Sequence, residues 1–156
     1  MRLRRIGVFI ATCAYVGYAP FAPGTCGSAV GLAVFYVVRR SGSMTVEIAT
    51  IVVLLAVGIW SATEAERYFG RRDPGPVVID EVVGMLITLA LIPVSIAGAM
   101  TGFVVFRILD VVKPWPARLL ESLPGGFGVV TDDVMAAVYG NLAMRALAWL
   151  LPAWLT

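Results

Sequence analysis

The sequence contains no histidine, a single lysine and few charged residues of any kind. Because there is no histidine, three classes are excluded: Ser-His-Asp hydrolases, phosphatases with a histidine nucleophile, and most zinc enzymes. Charged residues make up 14% and hydrophobic residues 60% of the 156 positions, and the mean hydropathy is +0.90. This composition predicts one membrane-embedded domain over residues 1–156. The net charge of +2 is spread along the chain, which argues against a nucleic-acid partner.

Several motifs of phosphate and thiol chemistry are also missing. Cys13 and Cys26 form neither a CxxC pair nor a metal-ligand spacing, so we interpret them as inert packing residues. Neither cysteine has an arginine six positions later, which excludes a cysteine phosphatase. The chain has no D-x-D for an aspartyl-phosphate enzyme and no G-K-[ST] for a nucleotide loop. If the chain handles phosphate, a metal-activated water is the most economical nucleophile.

Apolar segments alternate with polar loops rich in glycine and proline. Lipid-exposed backbone must satisfy its own hydrogen bonds. The apolar segments therefore predict an all-α, membrane-embedded bundle of about five to seven helices, some short or broken. We expect a short N-terminal helix, helices over 28–38 and 48–60, and a last helical segment over 134–155. The basic, apolar N-terminus also fits a secretory signal. The turn-rich segment "GYAPFAPGTCGS" after it favours a working part of the protein.

The uncharged segment 82–106 permits two interpretations. As a single helix it is long enough to cross a membrane once. Pro93 and Ser95 near its centre favour instead a hairpin of two short helices.

The acidic residues fall into two groups. Four lie in ordinary loop or helix-end contexts and predict a solvated surface: Glu47, Glu64, Glu66 and Glu121. Six gather beside apolar segments: Asp73, Asp80, Glu81, Asp110, Asp132 and Asp133. Acids at helix starts can simply complement the helix dipole, with Thr131 or Asp132 as an N-cap. Adjacent carboxylates repel unless a cation lies between them, so the pairs are also candidate Mg²⁺ ligands.

The stretch "FRILDVVKPWPARLL" places basic residues among these acids. Arg107 and Asp110 are three positions apart and share a helix face, which is compatible with a plain ion pair. Lys113 follows at the predicted helix end, before Pro114. A guanidinium, an ammonium and a carboxylate in this order suit a phosphate and its metal.

The segment "APGTCGS" predicts a small-residue loop that opens a helix. Its backbone N–H groups and the hydroxyls of Thr25 and Ser28 are suited to cradle an anion. Glycine-rich turns often serve only to turn the chain, so the segment alone does not decide its role.

Four segments resemble, in order and spacing, the motifs of the bacterial phosphatidylglycerophosphatase A family: "PFAPGTCGS", "VIDEVVGMLIT", "GFVVFRILDVVKPWPARLLE" and "GGFGVVTDDVMAAVY". The resemblance covers nearly the whole chain. It implies a helical bundle around a central helix, in the bacterial inner membrane with several crossings. It also implies Mg²⁺-dependent removal of the terminal phosphate of phosphatidylglycerophosphate, a lipid substrate, to give phosphatidylglycerol.

The four segments contain residues that match the functional residues of the family's motifs. The resemblance implies these catalytic residues: Asp80, Glu81, Arg107, Asp110, Lys113, Asp132 and Asp133. The implied metal ligands are Asp80, Glu81, Asp110, Asp132 and Asp133. The implied phosphate-binding residues are Gly24, Thr25, Gly27, Ser28, Arg107 and Lys113. The chain departs from the motifs at Ile79, Pro124 and Ala137, which puts substrate fit rather than chemistry in question.

A small membrane transporter and another lipid phosphate enzyme are the alternatives. A transporter predicts charges near the middle of several helices, and in the sequence Arg145 has such a position. A synthase of the CDP-alcohol type would carry a D-x2-D-G signature, which is absent.

If the four motif segments share one phosphate, they lie on one face of the membrane. The chain then crosses an even number of times between Glu81 and Arg107, so we predict a hairpin broken near 93–95. The positive-inside rule predicts that this face is cytoplasmic. Helices of about 11–13 residues cannot span a roughly 30 Å hydrocarbon core, so we expect a bundle partly sunk in one leaflet.

Overall fold

The computed structural model describes residues 2–155, apart from the side chain of Trp154. Within this part of the chain there are eight α-helices, a single-turn 3₁₀ helix at Val16–Tyr18 and no strand. The helices are α1 (Arg2–Ala11), α2 (Pro23–Arg39), α3 (Met44–Phe69), α4 (Ile79–Leu89), α5 (Ile96–Val112), α6 (Ala117–Leu120), α7 (Gly126–Leu150) and α8 (Pro152–Leu155). Six of them have ten residues or more, which confirms the predicted helical bundle.

Helix α4 is the centre of the bundle. Nine of its eleven residues are buried, and it packs against α2, α3, α5 and α7. A helix that is apolar on all sides is stable only when other helices surround it. Met85, Leu86 and Leu89 form the main core with Phe35 and Phe106. The central helix implied by the family resemblance is therefore present.

Glycines allow α2 to approach α4 closely. A Cβ atom at Gly27 would lie 2.8 Å from the Cβ of Val78, and one at Gly31 would lie 2.7 Å from the Cβ of Met85. Larger residues at these two positions would push the helices apart. The close approach brings the first turn of α2 next to the first turn of α4.

The segment 82–106 is broken into two helices, as the hairpin interpretation predicts. Helix α4 ends at Leu89 and α5 begins at Ile96. The hydroxyl of Ser95 caps α5 by accepting a hydrogen bond from the Gly98 N–H at 3.0 Å. Asn141 on α7 donates to three carbonyls at the end of α4, those of Ile87, Thr88 and Ala90. The last carbonyls of a helix lack the usual intrahelical partners, and Asn141 supplies a donor to this end of α4.

Glu47 is not a solvated surface residue, contrary to the prediction. It is 4% exposed, and one carboxylate oxygen accepts from Arg39 Nη1 at 2.9 Å. The other accepts from the Leu91 N–H at 2.9 Å, and Arg39 Nη2 donates to the Ile92 carbonyl. Glu47 is buried because the turn between α4 and α5 needs both a carboxylate and a guanidinium for its free backbone groups.

Two predicted helix starts were too late. Helix α2 begins at Pro23, whose fixed φ suits the first helical position, so "APGTCGS" forms helical turns rather than a loop. Helix α7 begins at Gly126, so Asp132 lies in its second turn and is not an N-cap. The start is fixed by packing on α3: the Gly126 N–H donates to Thr63 Oγ1 at 2.9 Å. A Cβ at Gly126 would lie 2.0 Å from the Ile59 carbonyl oxygen.

Helix α3 is longer than the predicted 48–60. It has 26 residues, or about 39 Å at 1.5 Å per residue, and ends at Phe69, where Gly70 follows with φ 68°. It continues past the first charges because Glu64 and Arg67 pair across one turn at 2.6 Å. Within residues 2–155, α3 is the helix that is long and apolar enough to cross a membrane. Helix α3 is therefore not one of the helices of about 11–13 residues that were expected to be too short to span.

We predict that Gly84→Ala destabilises the bundle, because the added methyl group would lie 2.4 Å from the Phe106 ring. Overpacking of this kind costs about 1–3 kcal/mol. Gly58→Ala is the matched control, since its methyl group would meet Ile79 at an ordinary 3.6 Å. Thermal unfolding in detergent micelles measures the difference. An unchanged midpoint for Gly84→Ala would contradict the packing described here.

Candidate active site

The motif segments meet in one cavity of about 300 Å³ at one end of the bundle. Helices α2 and α4 begin there, α5 ends there, and α7 borders the cavity with residues that follow its first turn. The cavity is lined by six acidic residues, Asp73, Asp80, Glu81, Asp110, Asp132 and Asp133, and by two basic ones, Arg107 and Lys113. This convergence is what the hairpin prediction requires.

Three acids form the centre of the cavity. Asp80 and Glu81 lie in the first turn of α4, and Asp133 lies in the second turn of α7. Each offers one carboxylate oxygen, and these oxygens lie within 4.8 Å of one another. Such a group of hard oxygen donors suits a divalent cation such as Mg²⁺.

Four buried carboxylate oxygens have no hydrogen-bond partner within the described part of the chain: Asp80 Oδ1, Glu81 Oε2, Asp132 Oδ1 and Asp133 Oδ2. A buried polar oxygen without a partner is destabilising, and buried polar groups are normally satisfied. A cation bound by Asp80, Glu81 and Asp133 would give a partner to carboxylate oxygens of these three residues. The residues therefore fit the metal that the resemblance implies.

Burial raises the pKa of Asp80 well above its usual range, and the neighbouring Glu81 raises it further. Burial also raises the pKa of Asp133, with added repulsion from Asp110 and Glu81. A raised pKa means that the charged forms of these two acids are disfavoured in the absence of a cation. A divalent cation would favour the charged forms and lower both pKa values.

Arg107 connects three of the motif segments. Its Nη1 lies 2.6 Å from Asp110 Oδ2 and 3.8 Å from Glu81 Oε1. The same nitrogen donates to Ser28 Oγ at 3.4 Å. The predicted i, i+3 pair of Arg107 and Asp110 is present, and it also positions the guanidinium beside the acids of α4.

Lys113 lies at the C-terminal end of α5 in a left-handed conformation, with φ 46°. This turn aims its ammonium into the cavity, where Nζ lies 2.5 Å from Asp132 Oδ2 and 3.6 Å from Glu121 Oε2. Burial lowers the pKa of Lys113, but the hydrogen bond that the ammonium donates to Asp132 and the negative charge of Asp132 outweigh this, so the pKa is raised. The ammonium therefore stays charged at neutral pH.

The predicted phosphate-binding residues of α2 divide into two groups. Gly24 lines the cavity, and a Cβ there would lie 2.3 Å from Glu81 Oε1 and 3.0 Å from both terminal nitrogens of Arg107. Gly27 packs against Val78, and the Ser28 hydroxyl donates to the Gly24 carbonyl at 3.0 Å. Thr25 borders a different space, on the side of α5.

Asp73 also lines the cavity and was not among the predicted site residues. It lies in the loop before α4 with φ 39°, and its backbone N–H donates to Glu66 Oε1 at 3.1 Å. The D-P-G turn, seven residues before Asp80, was the available signal. The sequence alone does not tell whether such a turn folds back toward the next helix.

Cys13 behaves as the inert residue that was predicted. Burial raises the pKa of its thiol to about 12, and the charge of Glu81 adds to this effect. A neutral thiol is a poor nucleophile.

Comparison with known proteins shows the family of this chain. The family model of phosphatidylglycerophosphatase A matches residues 9–148. The chain belongs to the phosphatidylglycerophosphatase A family. The resemblance found in the sequence is thereby confirmed, and so is the prediction of an enzyme of the phosphatase class.

Three curated relatives cover most of the chain. A Bacteroides thetaiotaomicron protein named "Putative phosphatidylinositol-3-phosphatase" is 35% identical over 92% of this chain and 94% of its own. Escherichia coli phosphatidylglycerophosphatase A is 35% identical over 78% of this chain and 72% of its own. The Haemophilus influenzae protein of the same name is 33% identical over 83% and 82%. No solved structure matches the chain.

We predict that Asp133→Asn lowers the affinity for Mg²⁺ by about tenfold or more, because it removes one of three clustered anionic donors. Isothermal titration with Mg²⁺ in detergent micelles measures the affinity without substrate. Glu121→Gln is the control, since Glu121 lies outside the cluster and its side chain is 47% exposed. Equal affinities for the two variants would rule out the three-acid cluster as the cation site.

Proposed function

We propose that this chain is a Mg²⁺-dependent phosphatase that hydrolyses the terminal phosphate of phosphatidylglycerophosphate to give phosphatidylglycerol and phosphate. The observation that carries the proposal is the cavity itself, in which clustered carboxylates and two cationic side chains converge from four motif segments. Two relatives bear the name of this activity.

The charge balance of the cavity supports a metal-dependent reaction. Six acidic residues line it against two basic ones, so a phosphate dianion would be repelled by the bare protein. Asp80, Glu81 and Asp133 are the residues best arranged to hold Mg²⁺, with Asp110 and Asp132 beside them. When bound, Mg²⁺ supplies positive charge for the phosphate and lowers the pKa of a coordinated water.

The residues of the chain have separate tasks in this proposal. Arg107 and Lys113 bind phosphate oxygens and neutralise the charge that develops in the transition state. Asp110 and Asp132 hold these two cations in position through contacts of 2.6 and 2.5 Å. During hydrolysis the water oxygen forms a bond to phosphorus and the phosphorus–oxygen bond to glycerol breaks. A proton from the water ends on the glycerol oxygen.

A lipid substrate also agrees with the surface of the bundle. Large apolar side chains are exposed on several helices, including Trp149 at 83%, Ile96 at 75% and Val37 at 69%. Apolar exposure on so many sides suits a hydrocarbon environment rather than water. Eight charged residues line the cavity at one end of the bundle, and Arg39, Glu47 and Arg145 contact the turn between α4 and α5 at the other. Charges at the ends of helices favour an enzyme at the membrane surface over a transporter.

Orientation follows from the distribution of basic residues. Nine lie toward the end that carries the cavity: Arg2, Arg4, Arg5, Arg67, Arg71, Arg72, Arg107, Lys113 and Arg118. Three lie toward the opposite end: Arg39, Arg40 and Arg145. By the positive-inside rule the cavity faces the cytoplasm of a bacterial inner membrane.

A second lipid headgroup competes with glycerophosphate as the candidate substrate. The relative with the largest shared length is named for a phosphatidylinositol 3-phosphate phosphatase. The headgroup of such a lipid also ends in a phosphomonoester. Substrate choice is therefore part of the test.

Purified protein is expected to release phosphate from phosphatidylglycerophosphate with Mg²⁺ and to lose this activity with EDTA. Asp110→Asn and Lys113→Ala should each lower turnover by about 100-fold, because each disrupts a phosphate-binding cation or its support. Arg118→Ala is the control, since Arg118 contacts the Val112 carbonyl and does not line the cavity. Activity that resists EDTA would refute the metal, and faster hydrolysis of phosphatidylinositol 3-phosphate would refute the proposed headgroup.

Cysteine labelling tests the orientation in intact spheroplasts and inverted vesicles. With Cys13 and Cys26 replaced by alanine, Arg72→Cys and Ser122→Cys should both react from the cytoplasmic side. Ser41→Cys, an exposed residue between α2 and α3, should react from the opposite side. Labelling of positions 72 and 122 from different sides is incompatible with a shared site.

A further inference from the structure

A shallow apolar groove of about 500 Å³ lies along the outer face of α5 and borders the first turn of α2. Its apolar walls are Phe103, Val104, Ile108, Val111 and Val112. Its polar members are Thr25 and Arg107. Because Arg107 also lines the acid cavity, one guanidinium borders both spaces.

The guanidinium of Arg107 has enough N–H donors to bind one anionic group in the acid cavity and another in the groove. Its contacts to Asp110, Glu81 and Ser28 all use Nη1, whereas a guanidinium carries five N–H donors in total. The hydroxyl of Thr25 and the N-terminal end of α2 add donors and positive potential on the side of the groove. The polar end of the groove therefore suits a second anionic group.

The apolar part continues as a stripe along α5. Ile96, Met100, Val104 and Ile108 follow at intervals of four and form one inclined ridge along the helix, with exposed fractions of 75%, 50%, 53% and 57%. The stripe is about 18 Å long. One leaflet of a bilayer has a hydrocarbon thickness of about 15 Å. An acyl chain lying on this stripe would have its polar end at Arg107.

The lipids named for the relatives share one arrangement of phosphates. Phosphatidylglycerophosphate and phosphatidylinositol 3-phosphate each carry a phosphodiester beside the diacylglycerol and a phosphomonoester at the far end of the headgroup. A phosphatase acts on the monoester, so the diester lies between the acid cavity and the lipid phase. Arg107 is the basic side chain that borders both the cavity and an apolar groove.

We infer that the groove between α2 and α5 holds the diacylglycerol end of the lipid substrate, with Arg107 and Thr25 contacting its phosphodiester. The inference rests on the proposed function only in taking a lipid phosphomonoester as substrate. A second apolar groove of about 560 Å³ lies between α2 and α3, but no charged residue lines it. The groove between α2 and α3 therefore has no cationic side chain to bind a phosphodiester.

The test compares two tryptophan variants on two substrates. Val104→Trp fills the α2–α5 groove, and Val53→Trp fills the α2–α3 groove, from positions that are 53% and 58% exposed. The substrates are a dipalmitoyl lipid, phosphatidylglycerophosphate or phosphatidylinositol 3-phosphate, and the same headgroup without its acyl chains. The quantity measured is the ratio of kcat/KM for the lipid to kcat/KM for the deacylated compound.

Val104→Trp is expected to lower this ratio by about tenfold, because it removes contact with about two methylene groups. Val53→Trp should change the ratio less than about twofold. Thr25→Val should lower kcat/KM for both substrates, since both retain the phosphodiester. Val111→Trp, at a position that is 73% exposed, repeats the first measurement if Val104→Trp does not fold.

An equal or larger loss for Val53→Trp would overturn the assignment, and so would a ratio unchanged in both α5 variants. If the wild-type protein hydrolyses phosphatidylinositol 3-phosphate but not phosphatidylglycerophosphate, the proposed headgroup fails while the groove is tested on the active lipid. If it hydrolyses neither lipid, the proposed function and the inference both fail.

Discussion

Six carboxyl groups share one cavity with only two cationic side chains, and several of the acids are almost fully buried. Such an excess of like charge is unstable unless cations or proton uptake relieve it. The four unpartnered carboxylate oxygens and the raised pKa values of Asp80 and Asp133 are two expressions of this single problem. A divalent cation of the kind proposed above, held by Asp80, Glu81 and Asp133, would relieve both.

The ends of the helices make this concentration of charge possible. Helices α2 and α4 direct their N-terminal ends at the cavity, where the positive ends of their dipoles favour anionic groups. Close packing at Gly27 and Gly31 allows the start of α2 to reach the acids of α4. The site thus depends on small residues that have no polar chemistry of their own.

The opposite end of the bundle determines which residues meet. The turn between α4 and α5 is held by Glu47, Arg39 and Asn141, which bind its free backbone groups. This turn makes α4 and α5 antiparallel neighbours, and it therefore brings Asp80 and Asp110 to the same end of the molecule. A polar network far from the cavity is in this way a condition for assembling the site.

The sequence by itself determined the helical class, the family and the acid and base motifs, because apolar runs and motif spacing are local properties. The broken segment 82–106 was also predictable, since Pro93 interrupts a helix locally. Tertiary structure decided the rest. The start of α7 depends on contacts with Thr63, the burial of Glu47 depends on a distant turn, and the place of Asp73 depends on how a loop folds back. Each of these is fixed by partners far away in the chain, which no local pattern encodes.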